Sequence, residues 1–352
     1  MLLQLLPTNT PESTPSIQRG SFHGAGGTLL GMQIVNVCLT IVTLGAYHFW
    51  AKAKIRRYLF SQTAFAGDRF AYHGTGKELY QGFLKAMVVF GIPYFSLGAA
   101  QSFLALPQSV DFLLQAMAAL VLFLYVPVAI VNARRYRCTR TSWRGIRFSF
   151  RGRTVDFLKL YLKGWLFTLL TLGTYYPYFQ TQRQAFLHSH TYFGNQRFQF
   201  TGHGSGLMVP FAVTLFTTYA VLCLCGLALA LQLTNAGLTL LLIPFVLGPV
   251  WVWLLGQKQK YYWDHTTFGE ARFSSGITWQ KLFGLYLGNL ALLLLTLGWA
   301  WPWVTVRNAR FFIGTLSLQG LTDLDRVLQD TTETSVTGEG LSNLLDTGFD
   351  MD

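Results

Sequence analysis

Seven apolar runs, each close to the ~20 residues that a helix needs to cross a bilayer, alternate along the chain with basic, aromatic connections. They cover residues 28–50, 83–106, 112–131, 157–179, 207–232, 237–255 and 282–304. A short stretch around Pro107 and Gln108 separates the second run from the third, and one around Thr234 and Asn235 separates the fifth from the sixth. Turns that short make each pair an antiparallel helical hairpin. Neither linker carries Lys or Arg, whereas the other connections are longer, polar and basic.

The remaining runs share a motif. Leu39–Tyr58, LTIVTLGAYHFWAKAKIRRY, returns as Leu169–Phe186 and Leu292–Phe311. Thr43, Thr171 and Thr296 anchor it, 128 and 125 residues apart, with Gly45, Gly173 and Gly298 two residues on and Trp50, Tyr178 and Trp303 seven residues on. Self-similarity of this kind predicts a copied membrane module. It divides the chain into a first membrane repeat (residues 21–153), a second (154–279) and a partial third (280–320). A flexible N-terminus (1–20) precedes them and an acidic tail (321–352) follows. The tail is rich in Thr, Ser and Gly without periodicity, a composition that predicts disorder. The first twenty residues lack the cationic start and long apolar core of a cleaved signal peptide.

Between the runs lies a second motif. Thr63, Thr141, Thr191 and Thr266 open the phrases TAFAGDRFAYHG, TSWRGIRFSFRG, TYFGNQRFQFTG and TTFGEARFSSG. Alternating aromatic and polar residues on both sides of a glycine-containing turn predict β-hairpins, with Arg69, Arg147, Arg197 and Arg272 leading the second strands. The ends look like halves of the same unit: Ser21–Gly24 resembles a second strand and Thr315–Gly320 a first, so pairing them would complete a fifth hairpin. The fold class expected is therefore an α-helical polytopic membrane protein with internal repeats and short β-hairpins between the membrane segments.

Composition supports the membrane reading: 51% of the residues are hydrophobic and 12% charged. The tail holds eight of the fifteen acids and one of the 27 cations, so residues 1–320 carry 26 cations against seven acids. A body that basic suits anionic lipid headgroups. The cations sit beside long apolar runs, which argues against nucleic acid as a partner. Charge also separates two topologies. If all seven runs cross, the hairpins at Thr191 and Thr266 fall outside against the positive-inside tendency. If the three Thr-Leu-Gly runs enter and return on one side, every basic connection is inside. The glycine after Thr-Leu can break a helix, and Pro177 and Pro302 can start a new one. Against this stands the length of each run, about 22 residues, which suits a full span.

No constellation for catalysis is present: no nucleophile elbow, no phosphate-binding glycine loop and no zincin helix. The expectation is a non-enzyme with no cofactor. His188, His190 and His203 lack a carboxylate or thiolate partner for a metal. Cys38, Cys223 and Cys225 lie in apolar runs and Cys138 in a basic loop, so no disulfide framework is implied. Lys159 and Lys163, one helical turn apart, are candidates for a polar membrane site, against the alternative that both snorkel to a basic interface. Asn36 and Asn289 each precede their anchor threonine by seven residues, with Gly164 at the matching place. They either line a polar path or bond neighbouring helices. Trp50, Tyr178 and Trp303 read as an interfacial aromatic belt.

Through TLGAYHFWAKAKIRRY and the following TAFAGDRFAYHGTGKELYQGF, the chain resembles the YjgN family of bacterial inner-membrane proteins, built around a domain of unknown function. The resemblance covers roughly residues 20–320 and implies a multi-pass inner-membrane location, leaving activity open. The second copy departs from the motif, with Gln180, Gln182 and Gln184 where the first has cations. Two functions follow as expectations: a transporter or channel for a small solute, or a scaffold or sensor whose basic hairpin layer binds lipid headgroups or a partner.

Overall fold

The computed structural model describes residues 17–103, 107–232 and 234–320. The acidic tail lies outside the described residues, as does most of the N-terminal stretch. Gln18 to Gly20, expected to be flexible, instead belong to a strand.

Ten short strands form one closed antiparallel barrel. They are β1 Gln18–Phe22, β2 Thr63–Phe65, β3 Asp68–Tyr72, β4 Thr141–Trp143, β5 Ile146–Phe150, β6 Thr191–Phe193, β7 Gln196–Phe200, β8 Thr266–Phe268, β9 Ala271–Ser275 and β10 Leu316–Gln319. The four expected hairpins are present, and each second strand pairs with the first strand of the next hairpin, as in Phe70↔Trp143, Phe148↔Phe193 and Phe198↔Phe268. The two terminal half-units pair as expected, through Gln18↔Leu318 and Arg19↔Ser317, and β1 also pairs with β2. This closure corrects the fold class. The chain is not a helical bundle carrying separate hairpins, because the hairpins join edge to edge into a barrel. The physical reason is that an isolated hairpin leaves two rows of unpaired backbone groups, and only closure removes every edge. Turn signals and alternation report a hairpin's interior and are silent on its neighbours.

Period-two alternation sets the barrel wall. Phe70, Phe148 and Phe198 face inward, with ring centroids 6.4 Å apart along this series, and Phe273 follows at 6.1 Å. A second aromatic layer, Phe65, Trp143, Phe193 and Phe268, runs beside it. Gly20 takes the fifth place of the first layer, and a Cβ there would stand 2.7 Å from Ile313 Cγ2. The arginines between these aromatics face outward and are exposed.

Helical pairs stand on the other rim. The amide that follows each second strand donates to the end of the next helix pair: His23 to Gln62 (2.9 Å), His73 to Arg140 (2.8 Å), Arg151 to His190 (3.0 Å), Thr201 to His265 (3.0 Å) and Gly276 to Thr315 (2.8 Å). Two pairs are long. In one, α3 Gly76–Ala86 continues through a π turn, Met87–Gly91, into α4 Ile92–Phe103, and returns as α5 Gln108–Thr139. In the other, a 3-10 turn, Gly204–Leu207, leads into α8 Met208–Ala230, which returns as α9 Ala236–Asp264. Among the described residues, four helices are long and apolar enough to cross a membrane: Gly76–Ala99, Gln108–Thr139, Gly204–Ala230 and Gly237–Asp264.

The Thr-Leu-Gly runs turn back. They form α1 Gly26–Val42 with α2 His48–Gln62, α6 Thr154–Leu170 with α7 Tyr176–Ser189, and α10 Trp279–Leu295 with α11 Trp301–Gly314. Each first helix has 17 residues, or ~25 Å, short of the ~30 Å hydrocarbon core. The threonine makes the turn. Thr43 Oγ1 donates to Leu39 O (2.8 Å) and accepts from the Tyr47 amide (2.9 Å), so one hydroxyl ends α1 and begins α2. Thr171 and Thr296 do the same. Gly45, Gly173 and Gly298 take φ of +94°, +91° and +88°, which glycine adopts without steric penalty. The leucine between is also left-handed and stands at the tip, 95%, 83% and 91% exposed at Leu44, Leu172 and Leu297. An apolar tip bared to that extent suits hydrocarbon.

The motif aromatics do more than face an interface. Trp50 lies over Gly76, Tyr178 over Gly204 and Trp303 over Gly26, so that a Cβ on these glycines would come within 2.5, 2.3 and 2.5 Å of the ring. Each contact locks one helical pair onto the next, and the Trp303 contact joins the last to the first. Arg57 and Arg310 add a guanidinium bond across two of these seams, to the carbonyls of Gly74 (3.4 Å) and Gly24 (3.4 Å), and Arg135 bonds the Gly152 carbonyl (3.0 Å) across the seam between α5 and α6.

Gly76→Ala is expected to cost about 1–3 kcal/mol through overpacking, and Trp50→Ala in the same chain should return part of it. A double-mutant cycle on unfolding in detergent measures the coupling. Simple additivity would leave Trp50 as an interfacial anchor only.

One barrel holds every hairpin, so all basic connections share a side and the linkers near Pro107 and Asn235 share the other. In a chain otherwise free of cysteine, Asn195→Cys and Glu270→Cys should resist an impermeant thiol reagent added outside cells, while Asn235→Cys reacts. External labelling of either of the first two would overturn this arrangement.

Candidate functional site

The three short pairs can be compared position by position from their threonines, and they differ in what fills the space between their helices. In α6/α7, Phe179 is buried against Gly164, where a Cβ would lie 2.0 Å from the ring. Tyr161 and Trp165 close around it, with centroids 5.6 and 6.1 Å away. In α10/α11 the corresponding residues are Val304 and Asn289, and Asn289 Nδ2 donates to Asn308 Oδ1 at 2.7 Å. In α1/α2 they are Ala51 and Asn36, and a cleft of about 580 Å³ remains.

Gln33, Asn36 and Thr40 line the cleft from α1, His48, Lys52 and Arg56 from α2, and Trp301 from α11. The helical period explains both stripes: each set recurs every three or four residues and so shares a face. Asn36 is 4% exposed, and neither its Oδ1 nor its Nδ2 has a hydrogen-bond partner among the described residues. A buried amide left in that condition costs about 1–3 kcal/mol. Lys52 and Arg56 beside a buried amide form a setting for an anion.

Arg134, seven residues before Thr141 as Arg56 is before Thr63, donates to Thr191 Oγ1 at 3.4 Å. Thr191 shares the inner face of β6 with Phe193, so Arg134 reaches over the barrel mouth. His188 lies beside it, with Nδ1 3.4 Å from Thr266 Oγ1 and Nε2 2.6 Å from Gln184 Nε2. Burial, then the Arg134 charge, push the His188 pKa down to about 4. The imidazole is therefore neutral near pH 7.

The sequence candidates are not gathered into one path. Asn36 lies in the α1/α2 cleft, and Asn289 is bonded within its own pair. Lys159 and Lys163 lie on an exposed face of α6, with Lys163 Nζ 5.9 Å from the Phe167 ring centroid. His190 Nδ1 is 2.8 Å from Phe186 O, while Tyr261 holds the backbone of His203, so these rings serve different places. Among the described residues, no group of three His, Cys, Asp or Glu could hold a metal. Sequence reasoning overlooked Ala51, Lys52 and Arg56. The signal was present, because aligning the threonines sets Ala51 against Phe179 and Val304.

His188 generates a pH prediction. Its folded pKa lies below the ordinary 6.5, so the unfolded chain takes up a proton that the folded chain refuses. Stability should fall as pH drops from about 6.5 toward 4. His188→Gln should flatten that part of the unfolding profile, and an unchanged slope would assign the loss to other groups.

Three curated proteins named "Inner membrane protein YjgN" are similar over 130 residues, which is 37% of this chain and 30% of each relative. Identity is 35% for Escherichia coli O157:H7, 33% for Escherichia coli K12 and 32% for Salmonella typhimurium LT2. The match thus spans less than a third of their length. No solved structure matches the chain. The relatives' names and the four long apolar helices agree on a multi-pass inner-membrane protein. The family model described as "Bacterial protein of unknown function (DUF898)" matches residues 17–344, and the chain belongs to that family.

Proposed function

We propose that this inner-membrane protein is a transporter or channel for a small anionic solute, received in the α1/α2 cleft. One observation carries the reading: the α1/α2 cleft holds a buried amide that has no hydrogen-bond partner among the described residues, beside Lys52 and Arg56. In this reading Asn36 replaces part of the solute's hydration, and the cations supply attraction without chemistry, so no enzymatic step is proposed. The cleft leads past Arg56 toward the barrel mouth, where the aromatic layers close the axial route and must part for passage. The correspondence between the pairs supports descent from a copied module, with the first copy keeping the binding function.

The scaffold reading has its own support in the exposed arginines of the barrel wall, a surface for anionic lipid headgroups or a protein partner. The two readings separate on one preparation in reconstituted vesicles. Asn36→Leu removes an amide that has no bond to lose, so thermal stability should hold or rise while flux of small anions falls to that of empty vesicles. Asn289→Leu breaks the bond to Asn308, so stability should drop by ~1 kcal/mol with flux retained. Ala51→Phe, which fills the cleft as Phe179 does, should also abolish flux. Wild-type vesicles no more permeable than empty ones to phosphate, chloride and small carboxylates would sink the transport reading.

A further inference from the structure

Where α7 passes α8 and α9, an apolar cleft of about 360 Å³ opens on the flank of the protein. Tyr176 lines it from α7, Phe211, Thr214 and Thr218 from α8, and Trp251 and Leu254 from α9. Its threonines spend their hydroxyls on their own helix. Thr214 Oγ1 donates to Pro210 O at 2.9 Å and Thr218 Oγ1 to Thr214 O at 2.7 Å, which leaves methyl groups for the cleft. At its edge Phe216 and Trp251 are 70% and 50% exposed, on helices long and apolar enough to cross a membrane. This edge faces acyl chains.

Toward the barrel the same seam turns cationic. On α9, Leu254 is followed on one face by Lys258 and Tyr262, one and two turns on. On α7, Tyr176 is followed by Gln180 and Arg183, so Arg183 stands ~10 Å along the helix from the cleft. Lys258 Nζ lies 5.9 Å from the Tyr262 ring centroid, and the Arg183 charge acts on both residues. Tyr262 also interacts with Tyr176, which ties the cations to the cleft. Tyr262 is 6% exposed, and neither its hydroxyl nor the buried Arg183 Nε has a hydrogen-bond partner among the described residues. Helices α7 and α8 contain no acid, and Asp264, the acid of α9, accepts from the Ser275 amide at 2.8 Å.

We propose that this seam binds an anionic phospholipid of the bilayer, its phosphate held by Arg183, Lys258 and the Tyr262 hydroxyl and one acyl chain lying in the apolar cleft. Charge complementarity selects the occupant. An apolar helix of a second copy would fill the cleft but leave two cations and a hydroxyl desolvated without a partner. Free phosphate would answer the cations, through charge-assisted hydrogen bonds, but not the cleft. A phospholipid answers both. The order along α7 and α9, apolar toward the helix tips and cationic toward the barrel, is that of a lipid standing in the leaflet next to the barrel. The site belongs to α7, α8 and α9, apart from the α1/α2 cleft and from the arginines of the barrel wall. It is therefore independent of the solute reading.

The test uses the full chain in a non-ionic detergent and two lipids with identical acyl chains, phosphatidylglycerol and phosphatidylcholine, counted on the protein by native mass spectrometry. Phosphatidylglycerol is expected to be retained severalfold more tightly. Arg183→Gln and Lys258→Gln should each weaken it about fivefold, the effect of one cation at a lipid surface, with phosphatidylcholine unchanged. Ala212→Trp, which fills the cleft from α8 and keeps the cations, should weaken both lipids. The unaltered chain decides the matter if a variant does not fold: phosphatidylglycerol with a photoactivatable group midway along its acyl chain should mark residues 208–218 and 251–254. Marks spread evenly over the other long helices would overturn the proposal, as would equal retention of the two lipids. So would inorganic phosphate that displaces the lipid at equal concentration, or a dimer whose interface keeps the photoactivatable lipid out.

Discussion

Pairing of β1 with β10 is the contact on which the rest of this architecture depends. Strands of three to five residues have too few ladder bonds to hold as separate hairpins. Each gains its second neighbour only when the ring is complete, and completion requires the two ends of the chain to meet. The same seam is reinforced above the barrel, where Trp303 covers Gly26 and Arg310 bonds Gly24. Helical pairs that share few contacts across the ring are thus held in order by the rim beneath them. Loss of the seam would free both ends and leave two exposed strand edges.

Much of this was legible in the residues. The hairpin phrases, the incomplete units at the ends and the break after Thr-Leu-Gly all correspond to elements found. Closure was not legible, because Phe70 and Trp143 carry no local sign that they will pair across 73 positions. The returning runs were open between two topologies. Their lengths argued for spans, and the Thr43 hydroxyl that bridges two helices through backbone contacts has no signature beyond the residue itself. The candidate site was half legible. Asn36 stood out as an amide among apolar residues, while the cleft around it exists because Ala51 is small, and a missing side chain makes a weak signal.

The three short pairs illustrate how one backbone turn supports different interiors. Gly164 with Phe179 makes a solid aromatic joint, Asn289 with Asn308 a hydrogen-bonded one, and Asn36 with Ala51 an open one. Because the turn is closed by its own threonine and glycine, the interior is free to vary without loss of the reversal. That independence allows one pair to hold a cleft while the others act as struts.

The leucine tips at Leu44, Leu172 and Leu297 have a consequence for the surrounding lipid. Among the described residues ten helical segments rise from the barrel rim, and four of them are long and apolar enough to cross to the far side. The leaflet next to the barrel must therefore make room for a much wider cross-section than the opposite leaflet. A protein tapered in this way is a wedge, and its ease of insertion depends on membrane curvature and on the spontaneous shape of the lipids in each leaflet.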